Sequence, residues 1–328
     1  MDVLILGAAG MVGRKLTDAI VKAGAIGTDE VTGLILADVV APDAPKNFGG
    51  KVVTSACDIS DPQVSADLVA HRPQVIFHLA AIVSGEAEIE FDKGYRINMD
   101  GTRHLFEAIR AEDARAPYHP RVVFTSSIAV FGAPFHERIG DEFFRTPQTS
   151  YGTQKAISEL LLDDYSRKGF FDGIAIRLPT ICIRPGKPNK AASGFFSNIL
   201  REPLVGQEAV LPVDDDVRHW HASPRAAVGF LLHAATLPME ALGTRRAVTM
   251  PGLSATVGEQ IEALRRVAGD GAVALIRREP DPAIAKIVAG WPRNFAADRA
   301  ERLGFRAEKD FDEIIRVHIE DELDGQIG

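Results

Sequence analysis

The stretch VLILGAAGMVGRKL, beginning at Val3, constrains the fold of this chain more than any other. An apolar run gives way to three glycines, Gly7, Gly10 and Gly13, and then to a helical pattern. Each glycine has its own reason. Gly7 permits a tight turn, Gly10 lets a pyrophosphate approach the backbone, and Gly13 lets the helix lie on the strand. The helix start offers free N–H groups and partial positive charge to phosphates, so Met11 and Val12 join the glycines as expected cofactor contacts. A glycine triplet alone is weak evidence; the strand-turn-helix setting strengthens it.

The same alternation continues. Short β-like runs occur at Val3–Leu6, Gly33–Asp38, Lys51–Ala56, Val75–His78, Arg121–Thr125 and Gly173–Leu178. Helical patterns occur at Met11–Ala23, Gln63–Ala70, Phe91–Ala111 and Tyr151–Lys168. This order predicts a doubly wound parallel sheet of Rossmann type, covered by helices on both faces. After Leu178 prolines and glycines mark an irregular loop, and helical patterns return at Val257–Ala268, Asp281–Val288 and Ala297–Leu303. The expected division is a cofactor-binding part over 1–178 and a substrate-binding part over 179–328, with a segment near 218–250 returning to the first part.

Composition narrows the function. With 328 residues and 46% apolar content, the chain can bury a large core. No apolar run is long enough to span a membrane. The net charge of −8 and the lack of a basic block disfavour nucleic-acid binding. Two cysteines, Cys57 and Cys182, are too few for a disulfide framework. No basic leader precedes the first strand, and the expectation is a cytoplasmic protein.

Asp38 closes the second strand, where a carboxylate accepts hydrogen bonds from a ribose diol and repels a 2′-phosphate; this favours NAD over NADP. Asp58 ends the third strand. It reaches toward an adenine or merely opens an Asx turn, and the residues alone leave both open.

Tyr151 and Lys155 stand four residues apart in SYGTQKA and share one helix face. A free phenol, with a pKa of about 10, is a poor base at neutral pH. A neighbouring ammonium is expected to lower that value and make the phenol a proton acceptor for a substrate hydroxyl. By itself the pair reads as a surface i,i+4 contact. Ser126 and Ser127, expected just past the fifth strand at the ligand-binding edge, shift the balance; Ser126 reads as a loop or cofactor contact.

The set GAAGMVG, HLAA, NMDGT, SSIAVFG, YGTQK and RLPT resembles the extended short-chain dehydrogenase/reductase family, in the family's order over roughly residues 1–250. The resemblance implies that Ser127 orients substrate, that Tyr151 is the acid/base and that Lys155 is its partner. It implies a proton-relay water at Asn98, whose other reading is a polar residue bending its helix. Ile59, Leu79, Ala80, Pro179 and Thr180 become further cofactor contacts. The family also commonly pairs the helices over Phe91–Ala111 and Tyr151–Lys168 in a homodimer.

Many members act on nucleotide sugars, but RHWHASPRAA departs from their usual pattern after Arg218. AAIVSGEAEIEFD, PQTSYGTQKAISELLLDDYSRKGF and RPGKPNKAASGFF resemble instead the family's dehydrogenases of four-carbon sugar acids such as D-erythronate. This implies NAD-dependent oxidation of a C2 hydroxyl to the 2-oxo acid. The alternatives are an NDP-sugar 4-epimerase or dehydratase using bound NAD, and a noncatalytic NAD-sensing regulator. Such a regulator has no chemical need of Ser127, Tyr151 and Lys155.

A carboxylate substrate needs a cation, and Arg184 and Arg218 are the candidates; Arg184 reads equally as a partner for a surface acid. Ser84, Lys187, Asn189, Ser193 and Asn198 are candidates for the remaining hydroxyls. His219 and His221 share a strand face but lack companion ligands, which favours packing or substrate contact over a metal. Cys182 reads as an apolar filler, Trp291 as an anchor of the C-terminal core, and Asp214–Arg218 as a solvated turn.

Overall fold

The computed structural model of the protein describes residues 1–186 and 192–328. The six apolar runs of the first half become Asp2–Leu6, Gly33–Asp38, Lys51–Ala56, Val75–His78, Arg121–Ser127 and Asp172–Leu178. Ala247–Thr249 joins them to make a seven-stranded sheet. Every neighbouring pair runs parallel. From Asp2–Leu6 the chain moves outward through Gly33–Asp38 to Lys51–Ala56. It then crosses to Val75–His78 on the other side of the first strand. A crevice opens at such a reversal, above the carboxyl ends of the strands.

Alternation along each strand divides its side chains between two faces. Val3 and Ile5 join Phe77, Val123 and Ile176 in one cluster, beneath Leu16 and Ile20 of helix Met11–Ala23 and Phe230 of helix Pro224–Thr236. Leu4 and Leu6 join Ile76 and Phe124 in another, beneath Leu105 and Phe106 of helix Gly101–Arg115 and Leu162 of helix Ser150–Arg167. Burial on both faces is why these strands read as continuous apolar runs.

A third cluster fills the C-terminal part, with Phe196, Leu200, Val257, Ile261, Ile314 and Ile315 at its centre. Its helices include Gly194–Leu204, Val257–Val273 and Phe311–Glu322. The expected helices at Asp281–Val288 and Ala297–Leu303 form as Pro282–Ala289 and Asp298–Arg302. Gly194–Leu204, Pro224–Thr236 and Phe311–Glu322 were not expected; the first hides behind a proline-rich loop and carries Pro203 itself. The single helix expected over Phe91–Ala111 is broken into Phe91–Gly94, a π-helical turn Tyr95–Asp100, and Gly101–Arg115. Arg218–Ala222 does not enter the large sheet. It lies between Thr180–Ile181, parallel, and Leu253–Thr256, antiparallel.

Candidate active site

Two cavities of about 700 and about 480 Å3 lie along the crevice and share Leu79 and Ala81 in their walls. The larger is lined by strand-end residues such as Leu6, Gly7, Asp38 and Leu79, with Lys93 and Arg96 beside them. Gly7 has φ +89°, and a Cβ there would lie 2.7 Å from the Ala80 nitrogen. A Cβ on Gly13 would lie 2.2 Å from the Gly7 oxygen, so the helix rests directly on the turn. Gly10 differs: its nearest protein atom would be 3.3 Å away, so its bareness serves the open side. The helix that begins at Met11 has no side-chain cap and no acid in its first turn. An uncapped helix start behind a glycine turn fits a dinucleotide's pyrophosphate.

Asp38 lines this cavity and secures the turn, its carboxylate accepting from the Ala9 N–H at 3.0 Å and the Val39 N–H at 2.7 Å. Asp58 and the buried Ile59 line it too. Asp58 accepts the Ser60 N–H at 2.9 Å, so its Asx turn and its place in the wall coexist. Burial pushes its pKa up, but the Ser60 hydrogen bonds and Arg96 outweigh that and hold it low. Gly10, Leu79 and Ala80 complete the wall, while Met11 and Val12 face the smaller cavity.

Tyr151, Lys155 and Ser127 meet in the smaller cavity, together with Pro179 and Thr180. Local structure brings them there. Thr149 caps the helix Ser150–Arg167 by accepting the Gly152 N–H at 3.1 Å. A Cβ on Gly152 would lie 2.1 Å from the Ala129 oxygen, so the helix start is pressed against the loop that follows Ser127. Ser127 itself belongs to the strand, and its Oγ accepts the Ala129 N–H at 3.1 Å.

The electrostatics correct one expectation. Burial pushes the Tyr151 phenol up to about 12, opposed first by the charge of Arg184 and then by a hydrogen bond with Ser127. Lys155 does not set this value. Its ammonium donates to the Thr125 carbonyl at 2.8 Å and lies over the Phe124 ring. Burial lowers its own pKa to about 7 against the pull of Glu159. Burial costs both charged forms part of their hydration.

Arg184 lines this cavity, is half-buried, and donates to the Ile181 carbonyl at 3.0 Å and the Ser193 hydroxyl at 3.2 Å. Burial depresses its pKa; the groups that oppose this are Cys182 and Tyr151, with no carboxylate among them. A reading as the partner of a surface acid therefore falls. Ser84 and Ser193 line the cavity; Asn189 and Lys187 lie outside the described residues.

Three expectations fail. Arg218 lines neither described cavity: it donates to the Ser254 carbonyl at 2.9 Å and pairs with Glu259. Strand alternation sends it away and turns His219 inward instead. Asn98 lines neither cavity. Its side chain accepts the Ile82 N–H at 2.9 Å and donates to the Ile82 carbonyl and Gln154, so its amide works as a clip in the π-helical turn. Asn198 is held by Arg201 at 2.8 Å. Ser126 lies in the strand rather than in a loop, but it does line the smaller cavity, where it donates to Glu159 at 2.6 Å.

His219 and Trp291 complete the wall. His219 stacks on Phe196, meets Trp291 at 5.3 Å between ring centroids and lies 2.6 Å from the Thr180 hydroxyl. Burial holds its pKa down at about 3, so it is neutral at working pH. Trp291 packs against the C-terminal core, as expected, and also faces the cavity; farther along its segment Phe295 is bridged to Ile139. Nothing in the order of the chain ties Trp291 to Tyr151. Cys182 is fully buried, with burial pushing its thiol up to about 12, as a filler should be. No metal-binding group occurs among the described residues.

The model of the NAD dependent epimerase/dehydratase family matches residues 3–224. The chain belongs to this family. It is 46% identical to the D-erythronate dehydrogenase of Cupriavidus necator, with 98% of each chain covered. To the D-erythronate dehydrogenase of Haemophilus influenzae it is 42% identical over 98% of this chain and 99% of that one. A crystal structure described as the nucleoside-diphosphate-sugar epimerase from Agrobacterium tumefaciens is 67% identical, with a TM-score of 0.98, covering 100% of this chain and 96% of that one. Within the family's fold, a Rossmann-type parallel sheet flanked by helices, the crevice described above lies over the nucleotide end of the sheet. No helix among the described residues is long and apolar enough to cross a membrane.

Proposed function

We propose that the protein is an NAD-dependent dehydrogenase that oxidises the C2 hydroxyl of D-erythronate to the 2-oxo acid. The observation that carries this reading is a phenol, a hydroxyl and a half-buried guanidinium, with no carboxylate partner among the described residues, lining one cavity of about 480 Å3. Near full-length similarity to two D-erythronate dehydrogenases supports the choice of acid. Bound NAD supplies a nicotinamide that accepts hydride from C2.

The protein's share is alignment and proton management. Arg184 grips the substrate carboxylate with two hydrogen bonds. Ser127 donates to the C2 oxygen and keeps it near the phenol. Tyr151, as phenolate, takes the hydroxyl proton as hydride departs, and Ser127 then holds the developing carbonyl. The Arg184 charge favours the phenolate against the cost of burial. Lys155, as ammonium, would hold the cofactor's ribose hydroxyls and adds positive charge to the site. Asn98 acts at one remove, fixing Ile82 and Gln154 around the helix that carries the reacting pair.

A second reading, an NDP-sugar 4-epimerase or dehydratase, is favoured by the name given to the Agrobacterium tumefaciens structure. Against it, a nucleoside diphosphate brings two phosphates to a cavity where Arg184 is the guanidinium, Arg218 being turned away. Purified protein with NAD and D-erythronate should form reduced nicotinamide and 2-oxo acid in equal amounts. Interconversion of UDP-sugars without net reduction, and no signal with D-erythronate, would transfer the assignment to the second reading. We also infer a cytoplasmic homodimer, paired through Gly101–Arg115 and Ser150–Arg167; Leu160 is 55% exposed on the second helix. Light scattering would report the mass.

A further inference from the structure

The helix that carries Tyr151 and Lys155 carries a third group at the same spacing, Glu159. Its side chain is 0% exposed. A lone buried carboxylate is unfavourable, so its partners matter. Glu159 accepts four hydrogen bonds. Ser126 donates at 2.6 Å, Arg177 donates twice at 2.8 Å, and Arg145 donates at 2.6 Å. These bonds hold its carboxyl below the usual range although burial pushes the other way.

Each partner sits on a segment that supplies a different wall of the smaller cavity. Ser126 immediately precedes Ser127 at the end of its strand. Arg177 lies in the strand that ends at Leu178, just before Pro179 and Thr180. Arg145 lies in the loop that leads into Gln148, Thr149 and Tyr151. The helix, two strand ends and the entry loop therefore converge on one carboxylate.

We propose that Glu159 is a positioning residue for the reaction: it fixes the segments bearing Ser127, Thr180 and Tyr151 relative to one another and presents a buried negative charge to Lys155. The groups around this charge are defined. Lys155 faces Tyr151 and Glu159 on its own helix and His78 from the neighbouring strand. Around Glu159 stand Arg177 and Arg145, and Arg145 also pairs with Asp163 at 3.0 Å. His78 is buried and neutral, so it does not replace the negative charge when Glu159 is removed.

This inference rests on the reading that Tyr151 and Lys155 carry the reaction. Two substitutions separate its parts, with NAD reduction by D-erythronate as the readout across pH. Glu159→Gln keeps the shape but removes the charge. Lys155 then loses its proton at lower pH, so the alkaline limb of kcat/KM moves to lower pH, and kcat/KM falls roughly tenfold or more. Ser126→Ala leaves the charge in place but frees the strand end; kcat/KM falls several-fold, on the order of 2- to 10-fold, with the limb unmoved. Glu159→Asp should return part of the limb.

An unshifted limb in a folded Glu159→Gln protein overturns the proposal. So does wild-type kcat/KM in Ser126→Ala, even where Glu159→Gln fails to fold. Tyr151→Phe is run alongside. If it stays fully active, the reading of the site itself has failed; if it is inactive while both test variants behave as wild type, only the role of Glu159 falls.

Discussion

On the nucleotide side of the crevice Gly7, Gly10 and Gly13 sit in one turn of chain, whereas on the substrate side Ser127, Arg184, His219 and Trp291 arrive from four separate segments. The first half works by leaving atoms out. A Cβ on Gly7 or Gly13 would collide with backbone that cannot give way. The second half works by delivering atoms: a phenol, a hydroxyl, a guanidinium and two rings. Adding atoms should therefore damage the first half, and removing them should damage the second.

The largest expected effect tests the second half. Tyr151→Phe keeps the ring and removes the ionisable oxygen; turnover should fall ~10²–10⁴-fold while NAD affinity, measured by titration calorimetry, stays unchanged. Full activity in this variant would remove the phenol from the chemistry. Arg184→Ala should come next, raising KM for the sugar acid roughly 10- to 100-fold, with Arg184→Lys recovering only part because it lacks the planar fork. If KM does not move, the carboxylate is held elsewhere.

Gly13→Ala probes the first half. The collision with the Gly7 oxygen should cost about 1–3 kcal/mol in urea denaturation and weaken NAD, with kcat nearly kept at saturating NAD. Unaltered stability and affinity would mean that the helix does not need to rest on the turn.

One pH experiment spans both halves. His78, ending the strand just before Leu79 and Ala80, and His219, in the substrate wall, are each held by burial at about 3. Between about pH 6.5 and 3 the unfolded chain takes up protons that these buried rings refuse. Their contribution is thus complete above the unfolded value and lost as pH falls toward 3, at about 1.4 kcal/mol per pH unit for each ring. His219→Phe should remove about one ring's share of that slope, read from denaturation curves across the range. The smallest effect belongs to Arg218→Ala. Turned away from both described cavities, it should leave kcat/KM within about twofold and shift stability by roughly 0.5 kcal/mol. A large loss there would restore it to the substrate wall.

The contrast also explains what could be read in advance. The central strands and the glycine turn were legible because burial on both faces and a bare turn leave local marks in the chain. Tyr151, Lys155 and Ser127 were legible through spacing and strand-end position. Arg184 was legible as a cation in the loop after Leu178, but not its choice over Arg218, which strand register decides. Trp291 was legible as an anchor of the C-terminal core but not as part of the cavity wall, because that place depends on tertiary packing. The state of the phenol was misread for a related reason. Spacing places an ammonium nearby, but burial sets the protonation cost, and burial is assembled from the whole fold.

The strand Arg218–Ala222 carries two different sets of side chains on its two faces. One set, His219 and His221, is neutral and aromatic; the other is a guanidinium and an indole buried against Phe295. Loss or gain of a single residue in the preceding Asp214–Val217 turn, with the pairing to Leu253–Thr256 kept, would exchange the two sets at once. A change in loop length, with no substitution in the strand, is thus a direct route by which this scaffold could acquire a taste for a more highly charged ligand.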